Sequence, residues 1–230
     1  MAFKEQLIED INKIFCTNWK ERGGTVVPTD TSVTLGNDAV KIEGTILYAD
    51  LADSTLMVNS KTPTFSAEVY KAFLHSAAKI IGEEGGAIVS YDGDRVMAVF
   101  IGNNKNTAAV KAALKINWAT ANIVQPSMKA IYTNTTFTIN HVVGIDTCEL
   151  FVAKTGVRGA NDLVWVGRAA NWAAKMASIK GYPTWITQAV YEKLHASAKL
   201  GADGIDMWVQ CTWNTMGNAI IYRSTYWWPL

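Results

Sequence analysis

Long apolar runs are missing from this 230-residue chain, and none approaches the roughly 20 residues of a membrane-spanning helix, so no membrane partner is expected. The opening MAFKEQLIEDINKIF has neither the apolar middle of a secretory signal nor the acid-poor character of a transit peptide, which predicts a cytoplasmic location. Charge of one sign is not in excess. Twenty-one basic residues against 20 acidic ones leave a formal charge of +1, which argues against bulk attraction to a nucleic-acid duplex or an anionic surface. Cysteine is scarce: Cys16, Cys148 and Cys211 stand far apart without a CxxC, so neither a disulfide framework nor a zinc site is expected. His75, His141 and His195 are equally scattered. Neither GxxxxGK[ST] nor GxGxxG occurs, which argues against P-loop and Rossmann sites. With 49% apolar and 18% charged residues, the chain has the composition of a folded domain.

Periodicity supplies the organisation. Leu7, Ile8, Ile11, Ile14 and Phe15 predict an amphipathic helix over residues 4–20, ended by Gly23-Gly24. Residues 1–40 read as a helical appendage to a main domain over residues 41–230. TILYADL, from Thr45, is β-branched and apolar and predicts a buried strand. Pro63 opens a helix that Gly82 closes. GAIVSY and RVMAVFI flank Asp92-Gly93-Asp94, a hairpin signal. A further helix is predicted over 107–124, stopping before Pro126. TFTINHVVGID, DLVWV, TWIT, WVQCTW and AIIYRST predict strands, GRAANWAAKMASIKG a helix, and residues 188–198 another. The aromatic C-terminus is expected to pack over the sheet. The order β-α-β-β-α-β predicts an α+β fold with a ferredoxin-like split β-α-β core and extra C-terminal strands.

Three clusters carry chemistry. Asp50 closes an otherwise apolar strand, and Asp94 sits at the hairpin tip; in a split β-α-β sheet these strands are neighbours. Two hard oxygen ligands without nearby cysteine or histidine suit Mg²⁺ or Mn²⁺. A turn aspartate at 94 and a helix-capping aspartate at 50 explain the same residues without a metal. Leu51-Ala52-Asp53-Ser54-Thr55 can offer backbone N–H groups to phosphate oxygens. Arg168, Asn171 and Lys175 share one helix face, suited to a phosphate and a sugar or simply to solvent.

Taken together, ILYADLADST, GGAIVSYDGDRVMAVF, VGIDTCELFVAKTG and WVGRAANWAAKM resemble the motif series of the class III nucleotidyl cyclases, over about residues 44–190. The resemblance implies that Asp50, Asp94 and the carbonyl of Leu51 hold two divalent metal ions. It implies that Ala52, Asp53, Ser54 and Thr55 bind the β and γ phosphates and that Asn171 orients the ribose. Lys175 stands where the family usually has a transition-state arginine, and Arg168 is a candidate for the missing guanidinium. A head-to-tail homodimer is implied, one subunit giving the aspartates and the other the Asn171 helix.

The base pocket departs from the family. Ser90 replaces a lysine and Val164 an aspartate or threonine, both usual adenine contacts. Tyr48, two residues before Asp50, shares its strand face and narrows the pocket towards a pyrimidine. This chain is similar to the pyrimidine cyclases of bacterial Pycsar antiphage signalling, the uridylate cyclases especially, which implies UTP as substrate and a separate effector for the product. The residues leave uracil and cytosine open, so a cytidylate cyclase is an alternative, as are a purine cyclase, a diguanylate cyclase and a degenerate, non-catalytic cyclase module.

Overall fold

The computed structural model describes residues 2–230. The chain forms two compact units, one from the residues up to Glu43 together with Glu149–Gly167, the other from Gly44–Cys148 and Arg168–Leu230. Two long strands, β2 (Asp38–Ala52) and β5 (Asn140–Val157), run through both.

The first unit opens with α1 (Phe3–Cys16), whose apolar residues Leu7, Ile8, Ile11, Ile14 and Phe15 are exposed. It stops short of the expected residue 20. The Asn37 amide donates to the carbonyls of Ile14 (2.8 Å) and Thr17 (2.5 Å), taking over the end of the helix. The chain then enters β1 (Lys20–Gly23), parallel to the start of β2. The end of β5 turns through Gly156 and Gly159, both at positive φ, into antiparallel β6 (Ala160–Val166).

The second unit carries the split β-α-β core. After β2 come a short α2 (Ser54–Ser60) and then α3 (Pro63–Glu83). Proline at the first position removes one of the unpaired first-turn N–H groups, and the Thr62 side chain accepts from the Phe65 N–H at 3.2 Å. The hairpin β3 (Ala87–Asp92) and β4 (Arg95–Phe100) follows, with Gly93 at φ 60° in its turn. Then come α4 (Lys105–Ala119), a π-helical segment Thr120–Val124, and α5 (Gln125–Ile131). The helix does not stop before Pro126, as the sequence predicts. The wide π turn resets the hydrogen-bond ladder, so proline falls in the first turn of α5, where its missing N–H is tolerated.

The chain is completed by β5, β6, α6 (Arg168–Met176), β7 (Thr184–Thr187), single-turn α7 (Gln188–Tyr191) and α8 (Ala196–Lys199), β8 (Val209–Trp213) and β9 (Ala219–Ser224). The sheet order is β3-β4-β2-β5-β7-β9-β8. Strand alternation divides its two faces. Leu47, Val143, Ile145 and Ile186 join Phe73 and Ile81 of α3 and Leu114 of α4 in one core. Val142, Trp185 and Ile221 join Met176 and Trp172 of α6 in another. The aromatic tail packs on α4 rather than over the sheet: the Trp228 N–H donates to the Leu114 carbonyl at 3.1 Å, and the Lys111 ammonium lies 5.7 Å from its ring centroid. No helix among the described residues is long and apolar enough to cross a membrane.

Two positions give tests of this packing. A Cβ on Gly144 of β5 would lie 2.2 Å from the Ala173 carbonyl oxygen and 2.7 Å from the Ala177 nitrogen, so α6 rests directly on the strand backbone. Gly144→Ala should therefore push α6 away and lower stability by about 1–3 kcal/mol, as read from urea midpoints. His141 is buried, its Nε2 has no hydrogen-bond partner, and burial pushes its pKa down from 6.5 to about 4. The folded ring is neutral, whereas the unfolded one takes a proton at its ordinary value. Its contribution is intact above pH 6.5 and is lost as the pH falls towards 4, about 3 kcal/mol in all. His141→Leu should flatten the pH dependence of unfolding free energy across that window.

Candidate active site

The register of the sheet brings acids together at the end of β2. Asp50 lies opposite Arg95 of β4, and Arg95 also faces Asp92 of β3. Asp94 occupies the turn just before Arg95. Arg95 Nη2 donates to Asp50 Oδ2 at 2.9 Å, with the Asp50 side chain only 14% exposed. Burial pushes the Asp50 carboxyl above the usual carboxylate range; Arg95 opposes that shift, and the charges of Asp94 and Asp92 add to it. The carboxylates thus sit close enough to feel one another. Asp94 Oδ2 is buried and has no hydrogen-bond partner, a costly state for a carboxylate oxygen in the absence of a cation.

Those oxygens fit a hard divalent ion. Among the described residues no three His, Cys, Asp or Glu side chains form a complete cage. An ion held by Asp50 and Asp94 would fill its other places from main-chain carbonyls, phosphate oxygens and water, the habit of Mg²⁺. Arg95 was not singled out from the sequence. The signal was partial, because the two-residue turn places Arg95 across from Asp92, while the β2–β4 register that puts it across from Asp50 has no local signal. Its guanidinium carbon also lies 5.9 Å from the ring centroid of Tyr48, which is on the same strand face as Asp50.

Leu51 is buried at the strand end and Ala52 is its last residue. Asp53 then adopts a left-handed conformation, φ 60° and ψ 25°, before Ser54 and Thr55 begin α2. The Asp53 carboxylate is engaged by the Lys180 ammonium, a pairing with no sequence signal because 127 residues separate the two. Beside this pair lies a cavity of about 600 Å³ lined by Ala52, Asp53, His141, Val142, Lys180 and Tyr182 among others.

The three residues singled out on α6 divide. Lys175 Nζ rests 3.6 Å from Met216 Sδ, a weak contact that leaves its charge unopposed by any carboxylate within salt-bridge distance among the described residues. Asn171 lies one turn before it on the same face. Arg168, the candidate for the missing guanidinium, is committed elsewhere. Its Nε and Nη2 each donate at 3.0 Å to the two oxygens of Asp146, and Nη2 also reaches the Thr147 carbonyl at 3.1 Å. The fork is thus closed on a fully buried carboxylate rather than held open towards a phosphate. Ser90 is half-buried on β3 opposite Met97, next to a bulge in the β3–β4 pairing. Val164 lies on β6 opposite Ala153, in the first unit.

No protein-family model matches the chain. Known proteins do. It is 52% identical to a uridylate cyclase of Xanthomonas perforans and 48% identical to one of Burkholderia cepacia, in each case over 100% of both chains. Its fold matches that of the guanylyl cyclase Cya2, with TM-score 0.67 and 18% identity over 82% of this chain and 94% of that one. It also matches the adenylyl cyclase CyaB from P. aeruginosa, with TM-score 0.67 and 19% identity over 81% of this chain and 95% of the other. The full-length likeness in sequence decides the family and the structural likeness decides the fold: the chain belongs to the uridylate cyclases, built on the catalytic fold of class III nucleotidyl cyclases.

Proposed function

We propose that the chain converts UTP to 3′,5′-cyclic UMP and pyrophosphate at the seam of a head-to-tail homodimer. The observation that carries this reading is the meeting of Asp50 and Asp94, with one buried carboxylate oxygen left without a partner. In the reaction the ribose 3′-oxygen loses its proton and bonds to the α-phosphorus. The bond from that phosphorus to the oxygen bridging it to the β-phosphate breaks, and pyrophosphate leaves.

Asp50, Asp94 and the Leu51 carbonyl would hold divalent cations, Mg²⁺ or Mn²⁺, whose charge when bound lowers the pKa of the 3′-hydroxyl and offsets that of the triphosphate. Backbone N–H groups over Ala52–Thr55 bind the terminal phosphates. From the second subunit, Asn171 orients the ribose and Lys175 places a positive charge against the oxygens of the α-phosphate. Lys175 does so as a point charge, without the planar fork of an arginine. Little covalent work is left to the protein, so positioning and electrostatics carry the rate.

A pyrimidine is favoured by what the base positions lack, and uracil among the pyrimidines by likeness to the uridylate cyclases alone. Ser90 and Val164 offer neither of the side chains that the family uses to satisfy adenine, and a base is rejected when polar groups go unpaired. Tyr48, braced by Arg95, fills space that a purine would need. The relatives named as uridylate cyclases support the same choice. The product then serves as a cytoplasmic second messenger of antiphage defence, read by a separate effector.

Incubation with an equimolar mixture of UTP, CTP, ATP and GTP and Mn²⁺, followed by mass spectrometry, should show cyclic UMP as the main product. Cyclic CMP as the main product overturns the choice of uracil, and cyclic AMP or GMP overturns the pyrimidine assignment itself. Asp50→Ala and Asp94→Ala should each remove turnover without loss of fold by circular dichroism. Mixing inactive Asp50→Ala with inactive Lys175→Ala should regain about a quarter of wild-type activity, because half of randomly formed dimers keep one of two sites intact. No recovery on mixing argues against the shared site.

A further inference from the structure

The helix that presents Asn171 and Lys175 is only nine residues long, and its rotation decides where both groups point. Its middle rests on Gly144, with Ala173 and Met176 buried against the sheet. The helix start, where Arg168 stands, is held by polar contacts as well. The Ala169 N–H donates to Cys148 Sγ at 3.3 Å. Arg168 closes its fork on Asp146, which is fully buried in β5, and Asp146 Oδ1 also accepts from Thr187 Oγ1 of β7 at 2.6 Å. The chain of contacts continues along the helix: the Arg168 guanidinium carbon lies 4.8 Å from the Trp172 ring centroid, and Trp172 meets Trp213 of β8 edge to face at 5.7 Å.

A buried ion pair is a weak device for stability, since well-packed apolar residues of similar volume often do as well. What a bidentate fork supplies instead is direction: two parallel bonds fix the plane of the guanidinium and hence the angle of the helix that bears it. Arg168, Asn171 and Lys175 lie on one stripe, so pinning the first sets the heading of the other two.

We propose that Arg168 and Asp146, with Thr187 behind them, are positioning residues of the cyclisation reaction. They hold α6 at the rotation that brings Asn171 to the ribose and Lys175 to the α-phosphate of a substrate bound on the second subunit. This rests on the functional reading above and adds to it a pair of residues that touch no substrate.

The test compares Arg168→Lys with the paired replacement Asp146→Leu plus Arg168→Met. Arg168→Lys keeps the charge and loses the fork. Its kcat should fall about 10- to 100-fold, the range expected for a displacement near 1 Å, with KM for UTP within about twofold and the dimer intact by gel filtration. The apolar pair should unfold at a temperature close to wild type and still show the fall in kcat, because packing is replaced but direction is not. Wild-type kcat in the folded apolar pair overturns the proposal, as does a loss in Arg168→Lys that merely follows the fraction unfolded. Where Arg168→Lys does not fold, the apolar pair carries the same two outcomes. Full turnover in Asp50→Ala would sink the cyclase reading itself. Full turnover in the apolar pair beside a dead Asp50→Ala sinks the positioning role alone.

Discussion

Everything in this molecule that bears on chemistry is arranged around a repulsion. Asp50, Asp92 and Asp94 lie at one end of a hairpin and its neighbouring strand, and at Asp50 burial already makes a negative charge expensive. A single guanidinium, that of Arg95, stands between the strands and holds Asp50. One cation does not balance three acids. The Asp94 oxygen left without a partner is the visible remainder of that imbalance. The sheet must be rigid enough to hold like charges together, and the two cores on its faces provide the rigidity.

Electrostatic order extends to α6. There a buried acid is fully answered: Asp146 receives both arms of Arg168 and the hydroxyl of Thr187. The contrast between the two aspartates is instructive. Asp146 and Asp50 are both pushed upward by burial, and arginine relieves both. Only Asp50 has further acids beside it. An acid satisfied by the protein serves the fold, whereas an acid left in surplus asks for a cation from outside.

The sequence made the fold legible wherever local chemistry agreed with the period. The β-α-β-β-α-β order, the hairpin at Asp92-Gly93-Asp94 and the helix opened by Pro63 all appear where turn residues and apolar spacing place them. Legibility failed where a distant group decided the outcome. Asn37 ends α1 early, a π turn carries the helix past Pro126, and the tail finds α4 through a carbonyl of Leu114. The same holds in the site. Asp50 stood out as an acid closing an apolar strand, and Asp94 as an acid in a hairpin turn beside it. The commitment of Arg168 to Asp146 was not, because a stripe on a helix shows which residues share a face but not what lies beneath it.

Local irregularities gather around the strand end that carries Asp50. Asp53 holds a left-handed conformation without glycine, a strain of order 1–3 kcal/mol. His141 is buried with an unanswered nitrogen, and the π turn begins at Thr120. All three residues line the same cavity of about 600 Å³, the one next to Lys180. Packing alone would have removed each of them, for none improves stability. Their concentration in one place is what a fold shows where selection has kept a shape rather than a minimum of energy. Ala52 and Asp53, in the segment that the proposed reaction assigns to the terminal phosphates, line this cavity. The surrounding structure, not any ligand, holds the Asp53 backbone in its left-handed conformation, so on the proposed reading that ordering precedes phosphate binding.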